Sequence, residues 1–303
     1  MPRHFDDVQL GSIELFCLAV EHESFTAAAN AASVTPAAVS RSVSRLEERL
    51  AVRLFVRTTR QIRLTEGGRL YYAQCRQALT QLVDAEREVS GQQQAPSGEI
   101  RISAPTPYAH FRLLPMLAEF RRLYPLVQVA VHVSNRNIDF AEGGYDLAVR
   151  GRAPDDSGLI ARTLENAELV VVASPWYLKT YGVPESLADL QAHDCIQFEL
   201  PSSGRNLPWV FMDKGKAINV QTSGNTTCLE DYLASVTMAR HGAGIVQTYR
   251  FTVQEDIERG ALVEILSELG GATRPFMLLY PHVKHVPLRV RTLIDFLTAQ
   301  AAE

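Results

Sequence analysis

Two helix starts close together near the N-terminus constrain this chain more than any other feature. Ser24 precedes Phe25-Thr26-Ala27-Ala28-Ala29, and Thr35 precedes Pro36. A Ser or Thr hydroxyl at such a place accepts from an N–H that the first helical turn leaves orphaned. Proline just inside the start costs nothing, because its missing N–H would have had no partner. The first of these helices ends near Ala32 and is joined to the second through Ser33-Val34. Ahead of them Leu10, Ile13, Cys17 and Val20, helped by Leu15 and Phe16, recur at helical spacing and predict a helix over Val8–Glu21. The second capped helix buries Val39, Val43, Leu46 and Leu50 and turns Ala37, Ser40, Arg41, Ser44 and Arg45 outward. Small alanines let the two helices cross closely, which is helix-turn-helix geometry, and the second helix begins with residues small enough to enter a major groove. An ordinary three-helix core gives no reason for small polar and Arg residues on that face.

Charge placement supports the same reading. Residues 1–95 hold eleven Arg, no Lys and eleven acidic residues, so the formal charge of -4 resides wholly in the remainder of the 303-residue chain. Seven of those Arg (41, 45, 49, 53, 57, 60 and 63) crowd a segment with only Glu47 and Glu48 against them. A basic stripe on one short segment is what phosphate contact requires, although a solvated helix face carries the same signature. After Leu50 the run Leu54-Phe55-Val56-Arg57-Thr58-Thr59-Arg60-Gln61-Ile62-Arg63-Leu64-Thr65 reads as two extended pieces around a polar turn, a β-wing. Arg57 and Arg60 would reach flanking phosphates or a narrow minor groove from it.

In order and spacing these blocks, continued by Leu46-Glu47 and by Leu64-Thr65-Glu66 with Gly68, resemble the winged helix-turn-helix of LysR-type transcriptional regulators. The resemblance implies DNA contacts from Pro36, Ala37, Ser40 and Arg41 on the recognition helix and from Arg57 and Arg60 on the wing. Many members carry glutamine where this chain has Pro36, so a glutamine–adenine contact is absent there. The weight of readout moves to Ser40, Arg41 and DNA shape.

From Thr65-Glu66 to about Gln93 the sequence predicts a long helix. Its residues Tyr72, Cys75, Leu79, Leu82, Glu86 and Val89 follow a heptad-like spacing. That stripe can pack against its own head or against a second copy; the resemblance favours pairing, antiparallel or splayed near Glu86. Paired heads imply an inverted-repeat site on double-stranded DNA. Gln92-Gln93-Gln94-Ala95-Pro96-Ser97-Gly98 is the clearest boundary in the chain. The domains expected are residues 8–65 for DNA binding, 66–95 for the linker and dimerisation helix, and 96–303 for the rest.

Beyond that boundary strands and helices alternate, implying an open α/β sheet whose ligands lie past the carboxyl ends of strands. Strands are expected around Ile100-Ile102, at Val127–Val133, Asp146–Arg150, Leu169–Ala173, Cys195–Phe198 and Ile245–Gln247; helices at Tyr108–Tyr124, Pro175–Tyr181, Leu229–His241 and Leu288–Ala301. The resemblance runs through this half as well, in Gly98-Glu99-Ile100-Arg101-Ile102, Phe120–Pro125, Tyr145–Gly151, Ala173-Ser174-Pro175 and Gly242-Ala243-Gly244-Ile245. It implies a two-lobed effector-binding domain like a periplasmic binding protein, with lobe one at 96–167 and 272–303 and lobe two at 168–271. By position, an effector pocket would be lined by Thr106, Pro107, Tyr108, Asn135 and Arg150 from one lobe and Phe198, Thr226, Thr227, Val246 and Gln247 from the other. A helix N-terminus with a Thr hydroxyl and an Arg favours a small organic anion. The plainer alternative is that Thr106 only caps its helix and Arg150 pairs with Asp146 or Asp139.

Other functions find little purchase. The chain has no GxSxG, Walker loop, GxGxxG or HExxH, so it is not expected to be an enzyme, and no cofactor or metal is expected. His282 and His285 lie in a Pro-flanked segment without a nearby carboxylate or Cys, which reads as a loop. Cys17, Cys75, Cys195 and Cys228 fit no metal spacing and read as buried small hydrophobes; a Cys195–Cys228 redox pair stays open. With no apolar run of membrane-spanning length and charges within Met1–Leu10, the expected location is cytoplasmic. A homo-oligomeric, effector-modulated transcription regulator is the leading reading. The alternative, a solute-binding-like protein without regulatory DNA binding, is disfavoured by the Arg stripe.

Overall fold

Three capped or turned helices and a short hairpin build the N-terminal part of the computed structural model, which describes residues 10–57, 62–89, 95–140, 144–151, 158–283 and 286–301. The chain divides into two units, with the main break between positions 94 and 95.

The first unit contains α1 (Leu10–Glu21), α2 (Phe25–Ala31), α3 (Pro36–Leu50), β1 (Phe55–Arg57), β2 (Ile62–Leu64) and α4 (Glu66–Val89). Both expected caps are made: the Ala27 N–H donates to Ser24 Oγ at 3.3 Å and the Ala38 N–H to Thr35 Oγ1 at 3.2 Å. Phe16, Cys17, Ala28, Ala29, Val39, Val43, Leu46, Leu54 and Phe55 close the core. Phe55 meets the rings of Phe16 and Phe25 edge-on at 5.5 and 5.4 Å, a geometry that adds roughly 0.5–1.5 kcal/mol per pair beyond area burial. The stripe on α4 is split. Cys75 is buried in the head's core, and Tyr72 and Leu79 pack on it. The Tyr72 hydroxyl and Arg76 both reach Glu21 of α1. Leu82 and Val83 stay exposed, as does Glu86; the side chain of Val89 lies outside the described residues. Half of the expected pairing seam therefore belongs to the head itself.

The second unit is built on a seven-stranded mixed sheet. Its strands β3 (Gly98–Ala104), β4 (Val127–Val133), β5 (Leu147–Arg150), β6 (Leu159–Ala173), β12 (Val246–Tyr249) and β14 (Thr273–Pro281) run in the order β12-β6-β14-β5-β3-β4, and β13 (Val263–Ile265) pairs with β6. β3 is parallel to β4 and to β5, whereas β14 is antiparallel to β5 and β6. A helical run follows β3: α5 (Thr106–Tyr108), a wider π turn over Ala109–Leu113, and α6 (Leu114–Leu123). With the last helix, α10 (Leu288–Gln300), α6 covers one lobe; Phe120 meets Phe296 there at 5.4 Å. The other lobe carries α7 (Pro175–Tyr181), β7 (Gln197–Leu200), β8 (Arg205–Asn206), the hairpin of β9 (Trp209–Asp213) and β10 (Lys216–Val220), β11 (Thr227–Cys228), α8 (Leu233–Arg240) and α9 (Arg250–Glu258). Trp209, Phe211, Tyr177, Leu190, Cys195 and Ile245 form a core within it.

β6 and β14 tie the lobes together. Residues 159–168 of β6 pair with β14, and residues 169–173 pair with β12 and β13. The register slips between Phe276 and Met277, which face Glu165 and Thr163, so Leu164 is the extra residue of a β-bulge at the crossing. The sequence reading places only Leu169–Ala173 in a strand, because the preceding Leu159–Glu168 mixes polar and apolar residues without strict alternation. It missed β14 altogether: Pro275 and Pro281 lack the N–H that a ladder uses and argue against a strand.

Candidate nucleic-acid interface and effector cleft

On the head, α3 presents Pro36, Ala37, Arg41 and Arg45 to solvent, with Ser40 and Ser44 half-buried beside them, while Val39, Val43 and Leu46 face inward. Because Thr35 satisfies an N–H at the helix start, the N-terminal turn is rigid where small side chains leave the backbone approachable. Among the described residues no carboxylate pairs with Arg41 or Arg45. β1 and β2 form the wing in antiparallel register, Phe55 opposite Leu64 and Arg57 opposite Ile62. The side chain of Arg57 and the whole of Arg60 lie outside the described residues.

One residue of this surface escaped the sequence reading. Glu47, counted there only as an acidic charge within the Arg-rich segment, is buried in α3. Its Oε1 accepts from the N–H groups of Leu54 at 2.8 Å and Phe55 at 3.1 Å, and its Oε2 accepts from Arg53 at 3.1 Å. Burial pushes the carboxyl up, but the Phe55 and Leu54 N–H groups and Arg53 outweigh it and hold the group below its ordinary value.

In the second unit, Thr106, Asn135 and Arg150 all stand at or just past the carboxyl ends of the parallel strands β3, β4 and β5, where open α/β sheets take ligands. Thr106 lies within the first helical turn and its hydroxyl does not cap the helix; the cap position is Pro105, without a side-chain bond. Instead the Thr106 N–H donates to Asn135 Oδ1 at 3.2 Å, and Asn135 Nδ2 donates to Thr106 Oγ1 at 2.9 Å. The same Nδ2 donates at 2.6 Å to the carbonyl of Glu230, on the opposite lobe. Arg136 completes this grip through Nε and Nη2, which reach the Glu230 carboxylate at 2.5–3.2 Å. Glu230 itself sits at φ +63, a conformation L residues adopt reluctantly.

Arg150 is 8% exposed, and its guanidinium donates to the Val149 carbonyl, the Ser103 hydroxyl and the Arg136 carbonyl. Its buried Nε has no partner among the described residues. Asp146 accepts instead from the Arg101 N–H, so the simple Arg150–Asp146 pair is not formed. Burial pushes the Arg150 pKa down to about 10, which still leaves a cation at neutral pH.

The remaining predicted residues fall into a wall of rings and a strand edge. Tyr108 contacts Phe276 at 4.6 Å, Phe276 contacts Tyr249 at 4.9 Å, Tyr249 contacts Tyr232 at 5.5 Å, and Tyr232 contacts Phe198 at 5.0 Å. This path runs from one lobe to the other over β14. Pro107 and Val246 are buried; Thr226 is half-buried, its carbonyl accepting from the Gln197 N–H, and Thr227 is exposed on β11. The Gln247 amide clamps β9, accepting from the Val210 N–H at 2.8 Å and donating to its carbonyl at 2.7 Å.

Comparison with known proteins decides what this pair of sites belongs to. The family profile for the bacterial regulatory helix-turn-helix protein, lysR family, matches residues 10–69, and that for the LysR substrate binding domain matches residues 93–302. The chain belongs to the LysR family. It is 35% identical to the HTH-type transcriptional regulator CrgA of Neisseria meningitidis over 95% of each chain. The CrgA structure superposes with a TM-score of 0.62 at 33% identity, covering 98% of this chain and 100% of that one. The full-length structure of the Vibrio cholerae virulence activator AphB gives 0.62 at 29% identity over 96% of this chain and 99% of that one. This LysR-family chain is therefore a DNA-binding transcriptional regulator with an effector-binding domain, as its sequence leads one to expect.

Sequence reasoning missed Glu47, Glu230, Tyr232, Tyr249 and Phe276. A glutamate among inward-facing Leu46 and Leu50 was the available signal for the first; Glu230 gave none. A groove of about 790 Å³ elsewhere in this LysR-family domain is lined by Phe111, Arg112, Glu165, Arg250, Phe251 and Asp256, none of them predicted. Most of its charges are paired internally: Arg112 with Glu165, Arg250 with Glu168 and Glu264, and Asp256 with Arg240 and Arg259. Among the described residues no cluster could hold a metal and no helix is long and apolar enough to cross a membrane. His285 lies outside them. All four cysteines are free and buried.

Proposed function

We propose that the protein acts in the cytoplasm as a dimer, or dimer of dimers, on an inverted-repeat promoter site. In this reading Pro36, Ala37, Ser40 and Arg41 read the major groove, and Arg57 and Arg60 hold the flanking backbone or minor groove. The exposed N-terminal face of α3, with its cap made and no carboxylate on Arg41 among the described residues, carries the proposal. The free stripe at Leu82 and Val83 supports self-pairing through α4, residues 66–95, between a head at 8–65 and an effector domain at 96–303. Fluorescence anisotropy on the DNA upstream of its own coding sequence, against random duplex, tests it. Arg41→Ala should weaken specific binding about tenfold and relax base preference. Arg57→Ala or Arg60→Ala should weaken all duplexes alike and flatten the salt slope by roughly one. Unchanged affinity in all three variants overturns the docking.

The effector is a small organic anion held near Thr106, Asn135 and Arg150, with Pro107, Tyr108, Phe198, Thr226, Thr227, Val246 and Gln247 around it. A buried guanidinium whose Nε has no partner, and which meets no carboxylate among the described residues, favours negative charge there. Such a ligand changes regulation only by binding one arrangement of the lobes better than another. A thermal-shift screen of small organic acids and amino acids against the full chain identifies it, since binding to the native state alone raises the midpoint. Failure of every acid, with stabilisation by neutral or cationic solutes instead, overturns the anion assignment.

A further inference from the structure

We infer that Glu47 is a positioning residue for DNA binding: it fixes the wing to the recognition helix, so that both meet the same duplex in register. α3 ends at Leu50, and Ala51 turns the chain through a left-handed conformation, φ +51, leaving only Val52 and Arg53 before Leu54. So tight a reversal brings the Leu54 and Phe55 N–H groups back against the last turn of the helix they have just left. Buried, those donors need an acceptor, and no helix carbonyl points sideways to supply one. Glu47 supplies it: one oxygen, Oε1, takes both. The bonds are charge-assisted and therefore stronger than neutral ones, which offsets the cost of sinking a carboxylate to 4% exposure in a small head.

The same two residues are pinned from the other side. Leu54 and Phe55 are core side chains, and Phe55 lies between the rings of Phe16 and Phe25. Where the wing returns, the Thr65 hydroxyl donates to the Arg53 carbonyl at 2.6 Å and the Thr65 N–H donates to the Leu54 carbonyl at 3.0 Å. β1 thus leaves the head in a direction set by α3, and Arg57 follows two residues after Phe55. A wing that swivels must be ordered each time it meets phosphate, which lowers its effective concentration at the second contact point.

The inference rests on the proposed wing contact with DNA, and Glu47→Gln against Glu47→Asp separates position from charge. Glutamine keeps an oxygen where Oε1 lies but gives up the charge that meets Arg53, which is largely solvated. Aspartate keeps the charge but is one methylene too short. In the full chain, on random-sequence duplex, Glu47→Gln should stay within about twofold of the parent. Glu47→Asp should lose about tenfold and flatten the salt slope by roughly one, as Arg57→Ala does. Combined with Arg57→Ala, it should cost little more than either change alone, because both remove one contact. Hydrogen exchange over residues 51–56 should quicken in Glu47→Asp and not in Glu47→Gln, with residues 36–46 unchanged in both. Equal damage from the two variants, or additivity with Arg57→Ala, overturns the assignment. A salt slope that Arg57→Ala leaves unaltered sinks the wing contact instead, while exchange at 51–56 still decides the role of Glu47.

Discussion

The side-chain amide of Asn135 donates at once to Thr106 on its own lobe and to the main-chain carbonyl of Glu230 on the other. Both amide hydrogens and the oxygen are thereby used, so an inverted amide would break all three bonds. Arg136 holds the other end of the same Glu230. Two adjacent residues of one lobe thus grip one residue of the other, and the grip is exposed to salt.

Breaking that grip should loosen the lobes. Spin labels at Gln128 on β4 and Asn219 on β10, both exposed, would report the separation between lobes in the full chain. Glu230→Gln and Arg136→Ala should each broaden the distribution towards longer distances, and about 1 M salt should do the same to the parent, where screening is nearly complete. Identical distributions in parent and variants would show that the crossing strands alone set the spacing.

Ligand response should pass through Thr106. Thr106→Val keeps the shape but removes the acceptor that Asn135 uses. Any acid that raises the parent's melting midpoint should raise this variant's by less than half as much, while affinity for DNA alone persists. An equal rise clears Thr106 of a ligand role. Arg150→Ala should instead cost stability outright, on the order of 1–3 kcal/mol, because the Ser103 hydroxyl and two carbonyls lose their partner.

Two neighbouring glycines should behave oppositely. A Cβ at Gly68 would overlap the Leu54 carbonyl and crowd the Leu64 side chain, and backbone cannot step aside by changing rotamer. Gly68→Ala should lose on the order of 1–3 kcal/mol from overpacking, more than the ~1 kcal/mol that alanine gains in a helix. At Gly67 the closest obstacle is the exposed side chain of Val52, which can move, so Gly67→Ala should be close to neutral. Denaturant melts of the two variants, followed by DNA binding, check the contrast.

The thiols should be slow. Burial pushes Cys17 and Cys195 up to about 12, and it raises Cys75 and Cys228 as well. A thiol reacts as its thiolate, and a group near 12 is ionised only to the order of one part in ten thousand at pH 8. A disulfide reagent should therefore label the folded chain far more slowly than the unfolded one, with the rate rising as pH increases. Fast labelling of Cys17 or Cys195 in a folded sample contradicts this.

The head was legible because its signals are local. Ser24, Thr35 and Pro36 act within one helical turn, and Val39, Val43 and Leu46 repeat at helical spacing, so nothing distant had to be known. Glu47 was not legible, because its partners lie beyond a chain reversal whose tightness depends on Ala51 adopting φ +51. The same limit governs the cleft. Thr106 and Asn135 stand at strand ends that alternation marks out, whereas Glu230 comes from a surface loop and Tyr249 and Phe276 from strands paired far along the chain. Arg150 stands at the end of β5, and a hydroxyl and carbonyls hold it where a carboxylate was one of two open readings.

The divided stripe on α4 makes the reading head a fixed rotor on its shaft. Cys75 anchors one part of that shaft within the head, and Leu82 and Val83 leave the next part bare. One residue inserted between Leu79 and Leu82 would turn the two parts by about 100° against each other, since a helix repeats every 3.6 residues. If α4 pairs as proposed, the phasing of half-sites is written into the count of residues between Cys75 and Leu82.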